Sequence, residues 1–354
     1  MALQKGDKLN NGKYTIEETL KVGRFCITYL ATVNSSVPKV VIKTPKDEMY
    51  EYVQDIERCN NNLLAEASAL SSCKHPHIVK FKKHFTEGEK VYLVMEHIAG
   101  DNLANLLETL PDKIMPEPQA LTYIKQIGEA LTAVHKSELV HRDVKPDNII
   151  LRAGKEEAIL IGFGLARGLE DILTTVNLTI YDNLDPTIYA FFAPELYGPT
   201  TNRGPYTDVY SLAATLYFLL TGQVPPNAQN RHKEKLVAPK KLNSNISDSV
   251  NKAINQGMQL NPEDRPQTMA EWLELLPLPA VEKEPESPPS KKEPLKLQDI
   301  INLLLAVLAI VVAVLVGLYP QEIREQIQKF FPSPSPTPKS IEEAKGLDRN
   351  NSNF

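Results

Sequence analysis

The first hundred residues alternate between apolar and polar positions. Tyr14 and Ile16, and then Phe25, Ile27 and Tyr29, fall on every second position with polar residues between them, the period of a half-buried strand. Residues 14–43 therefore read as strands, ending in the short apolar run VVIK at 40–43, and HIVKF and KVYLVMEHI read as further strands. Between them, residues 63–72 place Ala67 and Leu70 on one helical face, and Pro76 closes that region. From Gln119 the period lengthens. Leu121, Ile124, Ile127, Leu131 and Val134 recur at three and four, and residues 210–221 form a second, mostly apolar helix that belongs in a core. The pattern predicts an α+β domain, a small sheet-rich lobe followed by a larger helical lobe, that ends near Pro277.

Composition adds limits. With 42% hydrophobic residues in 354, the chain can bury a substantial core. A formal charge of -5 argues against a general nucleic-acid binder, which needs a basic face. The cysteines, Cys26, Cys59 and Cys73, form no CxxC pair and fit free thiols in a reducing compartment. The amino terminus is polar and resembles no secretory signal.

One segment departs from this composition. Residues 301–319, INLLLAVLAIVVAVLVGLY, carry no charge and would make about 28 Å of helix, one hydrocarbon thickness. The Pro-, Glu- and Lys-rich stretch at 277–300 reads as a solvated linker, and Pro320 follows the apolar run. The expectation is one lipid-embedded transmembrane helix at 301–319. The tail at 320–354 holds Ile323, Ile327 and Phe330 at helical spacing, then the extended PSPSPTP segment. Lys283, Lys291, Lys292 and Lys296 precede the run, against Arg324, Lys329 and Lys339 after it. That bias favours a cytoplasmic amino-terminal domain and a short tail on the opposite side.

The candidate chemistry sits in HRDVKPDNIIL at 141–151. This run, together with NGKYTIEETLKVGRFCITYLA, VVIK, LLAEASAL, FFAPEL and NPEDRP in that order, resembles the eukaryotic-type serine/threonine protein kinases of bacteria, cyanobacterial ones especially. The resemblance covers residues 12–276 and implies an α+β, bilobal kinase fold with its lobes at about 12–97 and about 98–276, ATP, and a protein substrate or regulated partner. It implies that Lys43 contacts the α- and β-phosphates, that Glu66 pairs with Lys43, and that Val22 and Gly23 lie over the nucleotide. Met95 takes the gatekeeper position, and Glu96 to Ile98 form the hinge beside adenine. Asp143 takes the place of the catalytic base, Lys145 stands beside the transferring phosphoryl group, and Asn148 is a ligand of Mg²⁺ or Mn²⁺. His141, Arg142, Glu195, Asp208 and Arg265 match structural positions: Asp208 the buried helix aspartate, Glu195 and Arg265 an ion pair. Thr174, Thr175, Thr179 and Thr187 are candidate phosphosites.

Two departures from the family pattern carry weight. Gly162-Phe163-Gly164 stands where the family has Asp-Phe-Gly, and glycine offers a metal no ligand. The hairpin that covers the nucleotide reads Lys21-Val22-Gly23-Arg24-Phe25-Cys26 in place of G-x-G-x-x-G and keeps only the central glycine. The favoured expectation is a nucleotide-binding, pseudokinase-type regulator or scaffold with impaired or absent phosphoryl transfer. The alternative is an active serine/threonine kinase that places its metal with Asn148 and Asp147, Asp171 or Asp185.

Overall fold

The computed structural model describes residues 2–23, 26–34, 36–47, 56–162, 189–197 and 203–277. Six antiparallel strands build the amino-terminal lobe: β1 (Lys8–Leu9), β2 (Tyr14–Val22), β3 (Cys26–Val33), β4 (Ser36–Pro45), β5 (Phe81–Glu87) and β6 (Lys90–Glu96), in the order β1-β2-β3-β4-β6-β5. Alternation sends Tyr14, Ile16, Ile27, Tyr29, Val40, Ile42 and Val94 to one face, where they form a small core of their own. Phe85 stacks between Tyr14 and Tyr92, with ring centroids 5.5 and 5.0 Å away. On the other face Met95 joins Leu70 and Cys73, at the end of helix α1 (Ile56–Ser72), in a larger core that continues into the second lobe.

That second lobe is mostly helical. It holds α2 (Leu103–Thr109), α3 (Glu117–Lys136), the hairpin β7 (Ile149–Leu151) with β8 (Ala158–Leu160), α4 (Pro205–Thr221), α5 (Pro239–Leu242), α6 (Asp248–Gly257) and α7 (Met269–Glu274). The three-and-four spacing read in α3 is its buried stripe, Leu121, Ile124, Ile127, Leu131 and Val134. Helix α4 is apolar nearly all round because it is the hub: almost every residue from Thr207 to Thr221 is buried. Gly222 ends it at φ 65°, and a Cβ there would lie 2.8 Å from the Lys113 carbonyl oxygen, so both conformation and space select glycine. Trp272 of α7, wholly buried, donates its indole N–H to the Ala253 carbonyl of α6 at 2.9 Å.

One expected strand differs. HIVKF contributes only its last residue to β5. Ahead of it Ile78 makes an isolated bridge to Leu160, with the Val79 N–H on the Leu160 carbonyl at 3.0 Å and the Leu160 N–H on His77 at 2.9 Å. The apolar residues Ile78 and Val79 are buried as a tie between the lobes, not as a strand of the first sheet. Among the described residues no helix is long and apolar enough to cross a membrane. The apolar run 301–319, the linker and the tail lie outside the described residues.

Candidate functional site

The site is organised from below by one buried carboxylate. Asp208, on the first turn of α4, is fully buried. It accepts the backbone N–H groups of His141 and Arg142, each at 2.8 Å, and meets His135 Nε2 at 2.8 Å. Burial pushes its carboxyl up, but these donors and the two histidines outweigh it, so it stays below the usual carboxylate range. Arg142 takes a left-handed φ of 67°, a conformation a non-glycine residue holds only when its surroundings fix it. The result is a loop at 141–148 clamped to α4.

His141 is buried with both ring nitrogens engaged. Nε2 lies 3.1 Å from the Ile161 carbonyl, and Nδ1 accepts the Asp143 N–H at 3.2 Å, the pattern of a neutral ring. Burial lowers its pKa despite the pull of Asp208 and Asp143. Stability therefore falls in two stages on acidification. Below about pH 6.5 the unfolded chain protonates His141 while the native chain resists, costing up to about 1.4 kcal/mol per pH unit. Below about pH 3.8 the depressed carboxyls of Asp208 and Asp143 lose their contribution as pH falls toward their folded values. Urea midpoints measured from pH 8 to 4 should show the first decline, and His141→Gln should flatten it. A native midpoint that is level between pH 7 and 5 would contradict the neutral ring.

Above this base the catalytic loop is assembled. Asn148 Nδ2 donates to the Asp143 carbonyl at 2.8 Å and to Asp143 Oδ2 at 2.6 Å, while Lys145 Nζ lies 2.8 Å from Asp143 Oδ1. Burial pushes the Asp143 carboxyl up, and Lys145, with smaller help from His141 and Lys21, brings it below the usual range. Burial likewise pushes the Lys145 ammonium down, and Asp143 and Asp147 more than restore it. The Lys145 ammonium also stands 6.0 Å from the ring of Phe192. Asp147, in the same turn, is exposed.

Gly162 lies two residues past the end of β8. The Ile161 N–H bonds the Asn148 carbonyl at 2.9 Å, which sets the glycine beside the Asn148 side chain. Its φ is +79°, and a Cβ built there would meet Asn148 Cγ, Nδ2 and Oδ1 at 2.8, 2.9 and 3.0 Å. The three nearest atoms to that Cβ are thus amide atoms, with no carboxylate among them. Among the described residues no group of three or more His, Cys, Asp or Glu side chains is arranged to hold a metal. A hard divalent cation needs several oxygens, usually with carboxylates. Among the described residues, one neutral amide oxygen beside a carboxylate already paired with Lys145 does not fit that requirement.

The roof of the cleft is the sheet. Thr28 of β3 lies opposite Lys21 of β2 on one side and Lys43 of β4 on the other, and Lys43 opposes Leu93 of β6. Met95 is 9% exposed and Ile98 4%. The Glu96 N–H bonds the Lys80 carbonyl and its Oε1 accepts the Lys80 N–H, both at 2.9 Å, so the hinge strand is tied on its outer edge. The Ile98 N–H donates to no described partner, which leaves a backbone donor for a ligand's ring nitrogen. Gly23 closes the β2–β3 hairpin, its N–H on the Cys26 carbonyl at 2.8 Å, while Val22 is 64% exposed. Glu66 is on α1, but its side chain lies outside the described residues, as do Arg24, Phe163, Gly164, Asp171, Asp185, Thr174, Thr175, Thr179 and Thr187.

The Glu195–Arg265 pair is present and fully enclosed. Arg265 Nη1 and Nη2 reach Glu195 Oε1 and Oε2 at 2.8 and 2.9 Å, and Arg265 also donates to the carbonyls of Gln259, Leu260 and Tyr206. Sequence reasoning missed two supporting residues. His135 on Asp208 and Thr207 on Glu195, the latter at 2.8 Å, look in sequence like ordinary polar residues of helices.

A protein kinase domain family model matches residues 14–275. A probable serine/threonine-protein kinase of Clostridium perfringens is 28% identical over 277 residues, 75% of this chain and 38% of the relative. Serine/threonine-protein kinase C of Synechocystis sp. is 31% identical over 272 residues, 73% of this chain and 48% of the relative. The chain spans less than half the length of these two relatives. Among solved structures, the apo form of PpkA-294 superposes with a TM-score of 0.65 at 26% identity, over 78% of this chain and 99% of that one. The kinase domain of Mycobacterium tuberculosis PknI, at 19% identity and a TM-score of 0.58 over 77% and 98%, shares the bilobal fold.

Proposed function

The chain belongs to the protein kinase domain family, as a serine/threonine-type domain, and on that premise we propose that it binds ATP between its lobes while transferring phosphoryl groups poorly or not at all. In this reading it is a membrane-tethered, pseudokinase-type regulator or scaffold. The domain stands on the cytoplasmic side, the helix at 301–319 is in lipid, and a protein partner is held by the kinase fold. The carrying observation is position 162, where glycine and the Asn148 amide occupy the place of a metal-binding carboxylate. Losing one anionic ligand to a metal on the phosphates costs several kcal/mol of transition-state stabilisation, roughly a thousandfold in rate. The free Ile98 N–H and the lysines of the roof support nucleotide binding all the same.

The assembled Asp143–Lys145–Asn148 loop favours the second reading, an active kinase with Asp147 drawn in as a metal ligand. Titrating the full-length chain in detergent micelles with ATP, in Mg²⁺, in Mn²⁺ and in EDTA, then following radiolabelled transfer, separates the two. Binding without transfer is the expected result. Metal-enhanced binding with transfer that disappears in Asp143→Asn would overturn it.

A further inference from the structure

The two departures from the family pattern, Lys21 and Gly162, meet in one place. Lys21, Thr28 and Lys43 form a single cross-strand row, and residues directly opposite each other in an antiparallel sheet point to the same face. The neighbours of Thr28 along β3, Ile27 and Tyr29, belong to the small core on the outer face, so the row points the other way, toward the catalytic loop. Val41, two residues from Lys43, packs on the core that spans both lobes and marks the same face. Lys21 therefore hangs from the roof of the cleft, in the position where the family's first hairpin glycine would leave space.

The charges around it agree. Lys21 is exposed in the open cleft and takes part in no ion pair among the described residues. Surrounding protein still lowers its pKa; Lys145 and Lys43 push the same way, and Asp143 and Asp147 pull back. Lys21 and Lys145 thus stand beside Lys43 around a site where, among the described residues, the carboxylates are Asp143, already paired with Lys145, and Asp147. Such a cluster is relieved by a polyanion. On the floor opposite, Gly162 and the committed Asn148 amide offer a divalent cation little.

We propose that the Lys21 ammonium supplies to the nucleotide phosphates the positive charge that a divalent metal brings in other kinases, making this cleft a metal-independent binder of nucleoside di- and triphosphates. The inference rests on the reading of the cleft as a nucleotide site. A lysine neutralises phosphate oxygens and holds them by charge-assisted hydrogen bonds. It cannot bridge two phosphates and a carboxylate in fixed octahedral geometry, so binding survives without the metal while transfer does not.

The test compares ATP, ADP and adenosine binding to the full-length chain in micelles, in EDTA and in Mg²⁺, for the native protein, Lys21→Met and Lys21→Arg. Met keeps the aliphatic stem and removes the charge. The native chain should bind ATP equally well in EDTA and Mg²⁺. Lys21→Met should weaken ATP in EDTA roughly ten- to a hundredfold and leave adenosine unchanged, and Lys21→Arg should restore most of the loss. An unchanged ATP affinity in Lys21→Met, with adenosine also unchanged, overturns the role of Lys21 and leaves the nucleotide site standing. So does native binding that requires Mg²⁺. Failure of the native chain to bind ATP or adenosine overturns the nucleotide reading itself, and this inference with it.

Discussion

Gly162→Asp in the full-length chain should raise Mg²⁺-dependent phosphoryl transfer by about a thousandfold and at the same time lower the melting temperature by a few degrees. The gain follows from returning a carboxylate to a loop whose other parts are in place, Asp143 held by Asn148 and paired with Lys145. The loss follows from geometry. Residue 162 has φ +79°, which an L-residue adopts at about 1–2 kcal/mol, with aspartate among the more tolerant. A Cβ at 2.8 Å from Asn148 Cγ also forces that amide to move, and its two hydrogen bonds to Asp143 resist. Gly162→Asn separates the two effects, since it has the same bulk and the same tolerance of this conformation but no charge. It should lower the melting temperature as much and gain no transfer. A folded Gly162→Asp chain that stays inert in radiolabelled transfer would place the defect elsewhere, first at the hairpin where Lys21 replaces glycine. Combining Gly162→Asp with Lys21→Gly should then make nucleotide binding depend on metal.

Much of this architecture was legible in the residues. The buried stripe of α3 and the apolar length of α4 are written in spacing alone, and the order of the short motifs placed Asp143, Asp208 and the Glu195–Arg265 pair before any geometry was known. What stayed hidden depends on pairing between distant segments. HIVKF has the composition of a strand, yet the backbone bonds of His77 and Val79 go to Leu160, some eighty residues away, and no local pattern reports that partner. The face that Lys21 presents is set by register with β3. Two bulges in β2, between Ile16 and Glu18 and between Thr19 and Lys21, each shift the alternation by one position. They cancel at Lys21, a fact that counting by twos from Tyr14 cannot establish. Likewise, Gly162 reads in sequence as a missing ligand, whereas the structure adds that Asn148 stands against it.

The largest stability effect should come from Arg265→Met or Glu195→Gln, each costing about 3–5 kcal/mol, a large part of what a domain of this kind holds in reserve. The two side chains are 0% and 3% exposed, so neither charge recovers hydration when its partner is removed. Arg265→Met strips donors from the carbonyls of Gln259, Leu260 and Tyr206 as well as from Glu195, and it removes the guanidinium that lies 5.1 Å over the Tyr210 ring. Glu195→Gln leaves the guanidinium buried with its counter-charge gone, although Thr207 can still donate to the amide oxygen. Replacing both residues with apolar ones, Glu195→Leu with Arg265→Met, removes both buried charges together and should cost clearly less than the sum of the two single losses. Urea midpoints of the native chain, Glu195→Leu, Arg265→Met and the double variant give that coupling directly, and a strictly additive pair would mean that the ion pair contributes nothing beyond its separate packing. The same ladder reaches function. Glu195 follows Phe192 by three residues, and the Phe192 ring lies beside the Lys145 ammonium. Hydrogen exchange in the Arg265→Met chain should therefore quicken at residues 189–197 before it does in the β-sheet lobe, and ATP affinity should fall only as far as the catalytic loop loses that support.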